Sequence, residues 1–158
     1  MPTITALLHT ENDALRLGRC LETLYPYDEI VIIDHESRDD TVQVAREYGA
    51  RVVKAGSEVE LPSLEGRWTF CLDPRESLSE ALAASLYEWK SERHAEDIAA
   101  GTAFSVFLRE ETTEGWLENP TPQTRLVPPG WNRWHGHMPE PDASAIALEG
   151  ELLRFIFP

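Results

Sequence analysis

The apolar and polar positions alternate between short buried runs and helical stripes. Ile4 to Leu8 is a short run of the kind a buried parallel strand needs. After the polar segment Thr10-Glu11-Asn12-Asp13, apolar residues recur at Leu17, Cys20, Leu21 and Leu24, a helical stripe that stops before Pro26. Glu29-Ile30-Val31-Ile32-Ile33-Asp34 is β-branched through its middle and predicts a central strand. Asp39 or Asp40 then caps a helix carrying Val42, Ala45 and Tyr48, with Gly49 as its stop, and Arg51-Val52-Val53 restarts a strand. Trp68-Thr69-Phe70-Cys71-Leu72 predicts a further buried strand ending at Asp73. Ser77-Leu78-Ser79-Glu80 has capping-box spacing and predicts the start of a helix with Leu78, Leu82, Leu86 and Trp89 on one face. Thr102 to Arg109 is another strand segment. Beyond Glu110, Pro120, Pro122, Pro128, Pro129, Pro139 and Pro141 exclude long helices, so Trp116, Trp131 and Trp134 are expected to fill gaps between short strands and loops. Ala145 to Phe157 supplies one or two closing strands. The β-α-β-α-β order of the first half predicts an α/β protein with a right-handed, mostly parallel central sheet flanked by helices. Its strands Ile4–Leu8, Ile30–Ile33, Val52–Val53 and Trp68–Leu72 should share one sheet, with the first of them central.

Composition narrows the partners. The 158 residues fit one compact domain, and 42% hydrophobic residues suffice for a core. There are 14 Lys+Arg against 28 Asp+Glu, a formal net charge of -14 with no basic run, which excludes a nucleic-acid backbone as partner. An anionic ligand would need a metal ion or backbone amides to screen this field. Cys20 and Cys71 lie in apolar contexts without C-x-x-C spacing and are expected to be buried free thiols. No apolar run approaches the ~20 residues of a membrane-spanning helix, and the first residues lack the pattern of a signal peptide, so a cytoplasmic protein is expected.

In open α/β sheets ligands bind at the carboxyl ends of the strands. Three such ends carry polar clusters here: His9-Thr10-Glu11-Asn12-Asp13, Asp34-His35-Glu36-Ser37-Arg38-Asp39, and Asp73-Pro74-Arg75-Glu76. Any one of them could simply cap the following helix. Three on one edge would converge on a crevice, where a carboxylate can accept hydrogen bonds from a base or ribose and another can hold a hard cation.

The residues carrying these ends resemble a known family. Leu7-Leu8-His9-Thr10-Glu11-Asn12-Asp13, Arg19-Cys20-Leu21, Asp28-Glu29-Ile30-Val31-Ile32-Ile33-Asp34, Ser37, Asp39-Asp40-Thr41 and Ala45-Arg46-Glu47-Tyr48-Gly49-Ala50 are similar to family 2 glycosyltransferases, in particular the branch related to lipopolysaccharide core glycosyltransferases. That family's pattern is T-x-N-E, R-C-L, D-E-I-V-V-V-D, S-x-D-G-T and A-x-x-Y-G-A, and the match runs without gaps from Ile4 to Val53. Trp68 to Leu78 resembles the strand leading into the family's metal motif, and Gly150 to Phe157 its C-terminal strand.

The resemblance implies a single truncated GT-A domain over residues 1–158, with 1–53 as the nucleotide-binding half and 67–158 as a compressed metal and acceptor half. It implies transfer of a sugar from a nucleotide-diphosphate sugar such as a UDP-sugar, with Mg²⁺ or Mn²⁺. Thr10, Asn12, Asp13, Asp34, Ser37 and Asp39 match nucleotide-binding positions. Asp73 matches the first Asp of D-x-D, and Glu76 the acid after it.

The chain also departs from the pattern. Arg75 replaces the second Asp of D-x-D, Asp40 stands where S-x-D-G-T has its glycine, and His35, Glu36 and Arg38 occupy positions that are small or uncharged in the family. The stretch between Val53 and Trp68 is shorter than the family's. Arg75 could clamp a diphosphate bidentately, or pair with Asp73 or Glu76 and seal the pocket.

A second constellation, Trp134-His135-Gly136-His137 with Glu140, gives the candidates for a general base: His135, His137 and Glu140. On a strand, H-x-H would place both imidazoles on one face, compatible with a transition-metal pair, while Trp131 and Trp134 could stack on a sugar. Two alternatives to an active transferase follow: a catalytically inactive GT-A-fold module serving binding, assembly or self-association, and a small metal-binding protein using His135 and His137.

Overall fold

The computed structural model describes residues 3–24, 29–56, 67–92 and 101–158. Its elements in chain order are β1 (Ile4–Thr10), α1 (Ala14–Glu22), β2 (Glu29–Asp34), α2 (Thr41–Glu47), β3 (Arg51–Lys54), β4 (Trp68–Leu72), β5 (Glu76–Leu78), α3 (Glu80–Glu92), β6 (Phe104–Thr112), β7 (Gly115–Trp116), β8 (Thr121–Val127), β9 (Trp134–His135), β10 (Met138–Pro139) and β11 (Ile146–Arg154). Among the described residues these strands build a nine-stranded sheet ordered β3-β2-β1-β4-β8-β6-β11-β5, with β7 on β6 and β9–β10 as a separate hairpin.

The first half follows the sequence pattern. β1 pairs in parallel with β2 on one side and β4 on the other, and β2 with β3, so the first strand is central. Beyond β4 the sheet becomes mixed: β8 runs antiparallel to β4 and β6, while β11 runs parallel to β6 and antiparallel to β5.

Strand parity decides what each face buries. Ile4, Ala6 and Leu8 point to the side where Leu17, Cys20 and Leu21 of α1, Ala45 of α2 and Leu82, Leu86 and Trp89 of α3 close the main core. Leu7, Val31, Ile33 and Cys71 point to the other side, where Val53, Ala55 and Met138 pack against them. The described helices therefore cover one face, and among the described residues the second face is covered by the β9–β10 hairpin and neighbouring loops. Cys20 and Cys71 are buried free thiols, and burial raises the pKa of both, that of Cys71 to about 12.

Two local expectations change. Ser77 and Leu78 are strand residues, pulled into β5 by pairing with Leu153 and Leu152 of β11. The helix cap moves to Ser79, whose Oγ accepts from the Leu82 amide at 3.2 Å and also from the Glu151 amide at 3.0 Å. Leu78 still reaches the core beside Leu82, but from a strand. The second change concerns His135 and His137. His135 ends β9 and His137 is the second residue of the two-residue turn Gly136-His137, in which Gly136 has φ 60° and across which Met138 pairs with His135, so the two do not share one face of a strand. His94 and most of the polar stretch from Lys54 to Gly66 lie outside the described residues.

Candidate functional site

The parallel register places Thr10 opposite Asp34 at the carboxyl ends of β1 and β2. Asp34 is buried, and its carboxylate is held by three donors: Thr10 Oγ1 to Oδ1 at 2.8 Å, Ser37 Oγ to Oδ1 at 2.6 Å and the Ser37 amide to Oδ2 at 3.0 Å. The two loops are then laced together. The Asn12 amide donates to Ser37 Oγ at 2.9 Å, Asn12 Oδ1 accepts from the Arg38 amide at 2.8 Å, and the Asp13 amide donates to Thr41 Oγ1 at 2.8 Å. Asp39 Oδ2 accepts from the Ala14 amide at 3.1 Å and so satisfies the start of α1 from the neighbouring loop.

All six residues matched to nucleotide binding thus meet in one network. Asp13 is pushed up, by burial above all, and Asp39 is held low, chiefly by the Thr41 hydroxyl. Asn12 and Glu36 both sit at φ 54°; Glu36, unlike Asn, is ill suited to that region. Beyond Asp34 opens a cavity of about 530 Å³ whose lining includes Ser37, Val42, Arg46, Val52 and Lys54.

The third strand end is arranged differently. Arg75 pairs with Asp73 through both oxygens, Nε to Oδ1 at 2.9 Å and Nη2 to Oδ2 at 3.2 Å. Burial pushes the Asp73 carboxyl up, but the hydrogen bonds from Arg75 outweigh it and the net shift is downward. Glu76 does not face the crevice with Asp73. It is fully buried, receives Arg125 at 2.7 and 2.9 Å, Arg154 at 2.7 Å and the Asp73 amide at 2.7 Å, and belongs to the interior. A hard cation such as Mg²⁺ or Mn²⁺ wants several free oxygens. In this arrangement Asp73 and Glu76 offer neither, because guanidinium groups occupy both carboxylates.

A group the sequence did not bring together lies alongside. His9 Nδ1 and His35 Nε2 share a hydrogen bond at 2.8 Å, and the His137 ring stacks on His9 with centroids 3.7 Å apart and planes 7° from parallel. Burial first, then His137 and His35, push the His9 pKa down to about 4. The signal was present in strand parity: Leu7 and His9, like Ile33 and His35, fall on the face opposite the helices. His137 was expected as a base or metal ligand, with His135 as its companion. Its neighbours are His9 and His35 instead, while His135 and Glu140 lie exposed on the hairpin and line neither of the cavities the cluster touches.

The three rings stand between two such cavities. One, of about 220 Å³, includes Thr10, Asp13, Asp73 and Arg75. The other, of about 480 Å³, lies on the face away from the helices and includes Ile33, Thr69, Val127, Trp131 and Trp134. Trp131 already carries the Arg133 guanidinium over its ring at 4.1 Å.

Comparison with known proteins places this architecture. The mixed α/β sheet is that of GT-A-type glycosyltransferase domains, and in sequence the chain is similar to proteins named glycosyltransferases. No family model matches the chain. It is 39% identical over 54 residues to an uncharacterized glycosyltransferase of Rickettsia felis, covering 34% of this chain and 19% of that protein. It is 33% identical over 87 residues to one of Rickettsia conorii, covering 50% and 31% respectively. A TPR repeat-containing protein of Synechococcus elongatus is 30% identical over 135 residues, which is 80% of this chain and 31% of that one. The chain therefore spans less than a third of these curated relatives. Among solved structures, glucosyl-3-phosphoglycerate synthase from Mycobacterium tuberculosis, in complex with Mn²⁺, UDP and glucosyl-3-phosphoglycerate, matches with TM-score 0.51 and 20% identity over 72% of this chain and 46% of that one. S. aureus TarS matches with TM-score 0.50 and 17% identity over 72% of this chain and 22% of that one. Among the described residues no helix is long and apolar enough to cross a membrane.

Proposed function

We propose that this chain binds a nucleotide-diphosphate sugar, UDP-linked by analogy with what the M. tuberculosis synthase binds, and serves glycosyl transfer. The reading assigns 1–53 to the nucleoside and 67–158 to the diphosphate and acceptor, within one domain. The observation that supports it is the Thr10–Asp34–Ser37 network beside a cavity at the ends of two parallel strands. Asp34 Oδ2 accepts one described hydrogen bond, which leaves capacity for a base N–H, and Thr10 and Asn12 stand where base or ribose would lie. Because Asp73 and Glu76 are taken up by guanidinium groups, no step is assigned to Mg²⁺ or Mn²⁺. Arg75 is a cation available to a diphosphate. It is half-exposed, and exchanging its pairing from Asp73 to phosphate oxygens would preserve a bidentate geometry.

Calorimetry with UDP tests this, with an expected Kd of about 0.1–1 mM, or roughly -5 kcal/mol. Asp34→Asn should weaken binding at least about tenfold. Because the carboxylate also orders the loop, the variant should lose about 1–3 kcal/mol of stability as well, since its amide NH₂ would face the Ser37 N–H. Binding is therefore to be measured well below its melting temperature. The absence of heat at millimolar UDP would favour the second reading, an inactive GT-A-fold module for binding or assembly, which the Asp73–Arg75 pairing supports.

For metal, Mn²⁺ titration followed by paramagnetic broadening should show no tight site centred on Asp73, and Arg75→Asp should restore some affinity there. Saturable broadening around Asp73 in the unaltered chain would refute this.

A further inference from the structure

Three of the five histidines come from positions 9, 35 and 137 to a single point, and one nitrogen of each lies within 4.8 Å of the other two. We propose that His9, His35 and His137 form a binding site for a late first-row divalent metal ion, with zinc the fitting probe. The site does not depend on the nucleotide reading, since it is defined by the metal alone.

Two of the ligands are set by backbone. His9 is the penultimate residue of β1, and His35 follows β2 directly with its amide donating to Thr10 O at 2.8 Å. Strand parity turns both rings to the face that lacks described helices. The 2.8 Å between their nitrogens is a hydrogen-bond distance. A tetrahedral ion with metal–nitrogen bonds of about 2.0–2.1 Å needs about 3.3 Å between ligand atoms, so the pair has to open by about half an ångström. The ion then takes the place of the shared proton, which moves through solvent to the other nitrogen of the ring that carried it, so that each neutral ring ends with one N–H facing away from the ion. No net proton is released.

His137 has further to move. It is stacked nearly parallel on His9 and must tilt before its lone pair converges on the same point. It is exposed on the two-residue Gly136-His137 turn, where such a tilt meets little packing.

The chemistry of the donor set selects the ion. Imidazole nitrogens suit zinc, cobalt, nickel and copper, whereas magnesium, calcium and manganese favour oxygen. Of the carboxylates that line the shared cavity, Glu11, Asp13 and Asp73, that of Asp73 is already paired with Arg75 and that of Asp13 with Arg16. A chain of net charge -14 raises the local concentration of any cation. Three protein ligands leave a fourth position open, the pattern of a reactive rather than a purely structural site. Because the same rings line both neighbouring cavities, water or an anionic oxygen can reach that position.

The test uses tag-free, chelator-treated protein and metal alone. Cobalt should bind at one equivalent with the intense visible absorption of a four-coordinate ion, and zinc should displace it while magnesium should not. His35→Ala and His137→Ala should each weaken zinc at least about 100-fold, the upper end of what loss of a supporting partner costs. His135→Ala should leave affinity unchanged. Since His137 is exposed, its replacement should not alter the melting temperature, which separates loss of a ligand from loss of the fold. The proposal is overturned if no saturable binding occurs below about 100 μM, if binding survives both substitutions, or if His135→Ala abolishes it.

Discussion

Glu76→Gln is expected to lower the unfolding free energy by about 3–5 kcal/mol, because it strands two guanidinium groups around a neutral amide. Glu76 is fully buried, Arg125 is buried almost as completely, and Arg154 approaches the same carboxylate from β11. Taking a carboxylate and a guanidinium out of water is costly, and their bidentate pairing, the Arg154 guanidinium, the Asp73 amide and the Cys71 carbonyl offset that cost here. The relevant measurement is the midpoint of urea unfolding at constant slope. A loss below about 1 kcal/mol would mean that water reaches the cluster. Arg125→Met alone should cost less, since Arg154 remains to pair with the carboxylate.

The second large effect is steric. Gly150 has φ 96°, and a Cβ built on it would stand 2.2 Å from the backbone nitrogen of Leu82 and 2.6 Å from its Cα. These are atoms of α3 itself, so no side-chain rotation can relieve the clash. Gly150→Ala should therefore cost about 2–5 kcal/mol, from overpacking together with a left-handed conformation. Gly49→Ala serves as control: its φ is 77°, but a Cβ there meets nothing within 4 Å, so only the conformational cost of about 1 kcal/mol remains. Equal losses at both positions would show that α3 shifts freely against β11.

The parts of the fold that are local in sequence were the legible parts. β1, β2, β3 and β4 announce themselves because each is a short apolar run followed by polar loop residues, and their helices carry their own stripes. The Asp34 network was legible for the same reason, as its members lie at the ends of adjacent strands. Long-range pairing was hidden. Ser77 and Leu78 read as a helix start because nothing nearby reveals that Leu152 and Leu153 will pair with them. Glu76 read as a crevice acid because its partners Arg125 and Arg154 lie 49 and 78 residues further along the chain. The histidine cluster escaped for a related reason. Strand parity puts His9 and His35 on one face, but only the tertiary course of the β9–β10 hairpin brings His137 rather than His135 to meet them.

The position of β11 has a consequence for how the protein is made. It is the last described strand to leave the ribosome, yet it lies between β6 and β5, pairing with both. Until Ile146–Arg154 emerges, β6 keeps an open hydrogen-bonding edge, β5 lacks its described strand partner, and α3 lacks the strand that receives it through Ser79 and Gly150. A nascent chain stalled before residue 146 would thus expose the sort of open edge that recruits other chains. The parallel unit β3-β2-β1-β4, by contrast, has all its strands in hand by Leu72 and can wait. Synthesis would then leave one interval, between the completion of β8 and the arrival of β11, in which a chaperone has most to protect.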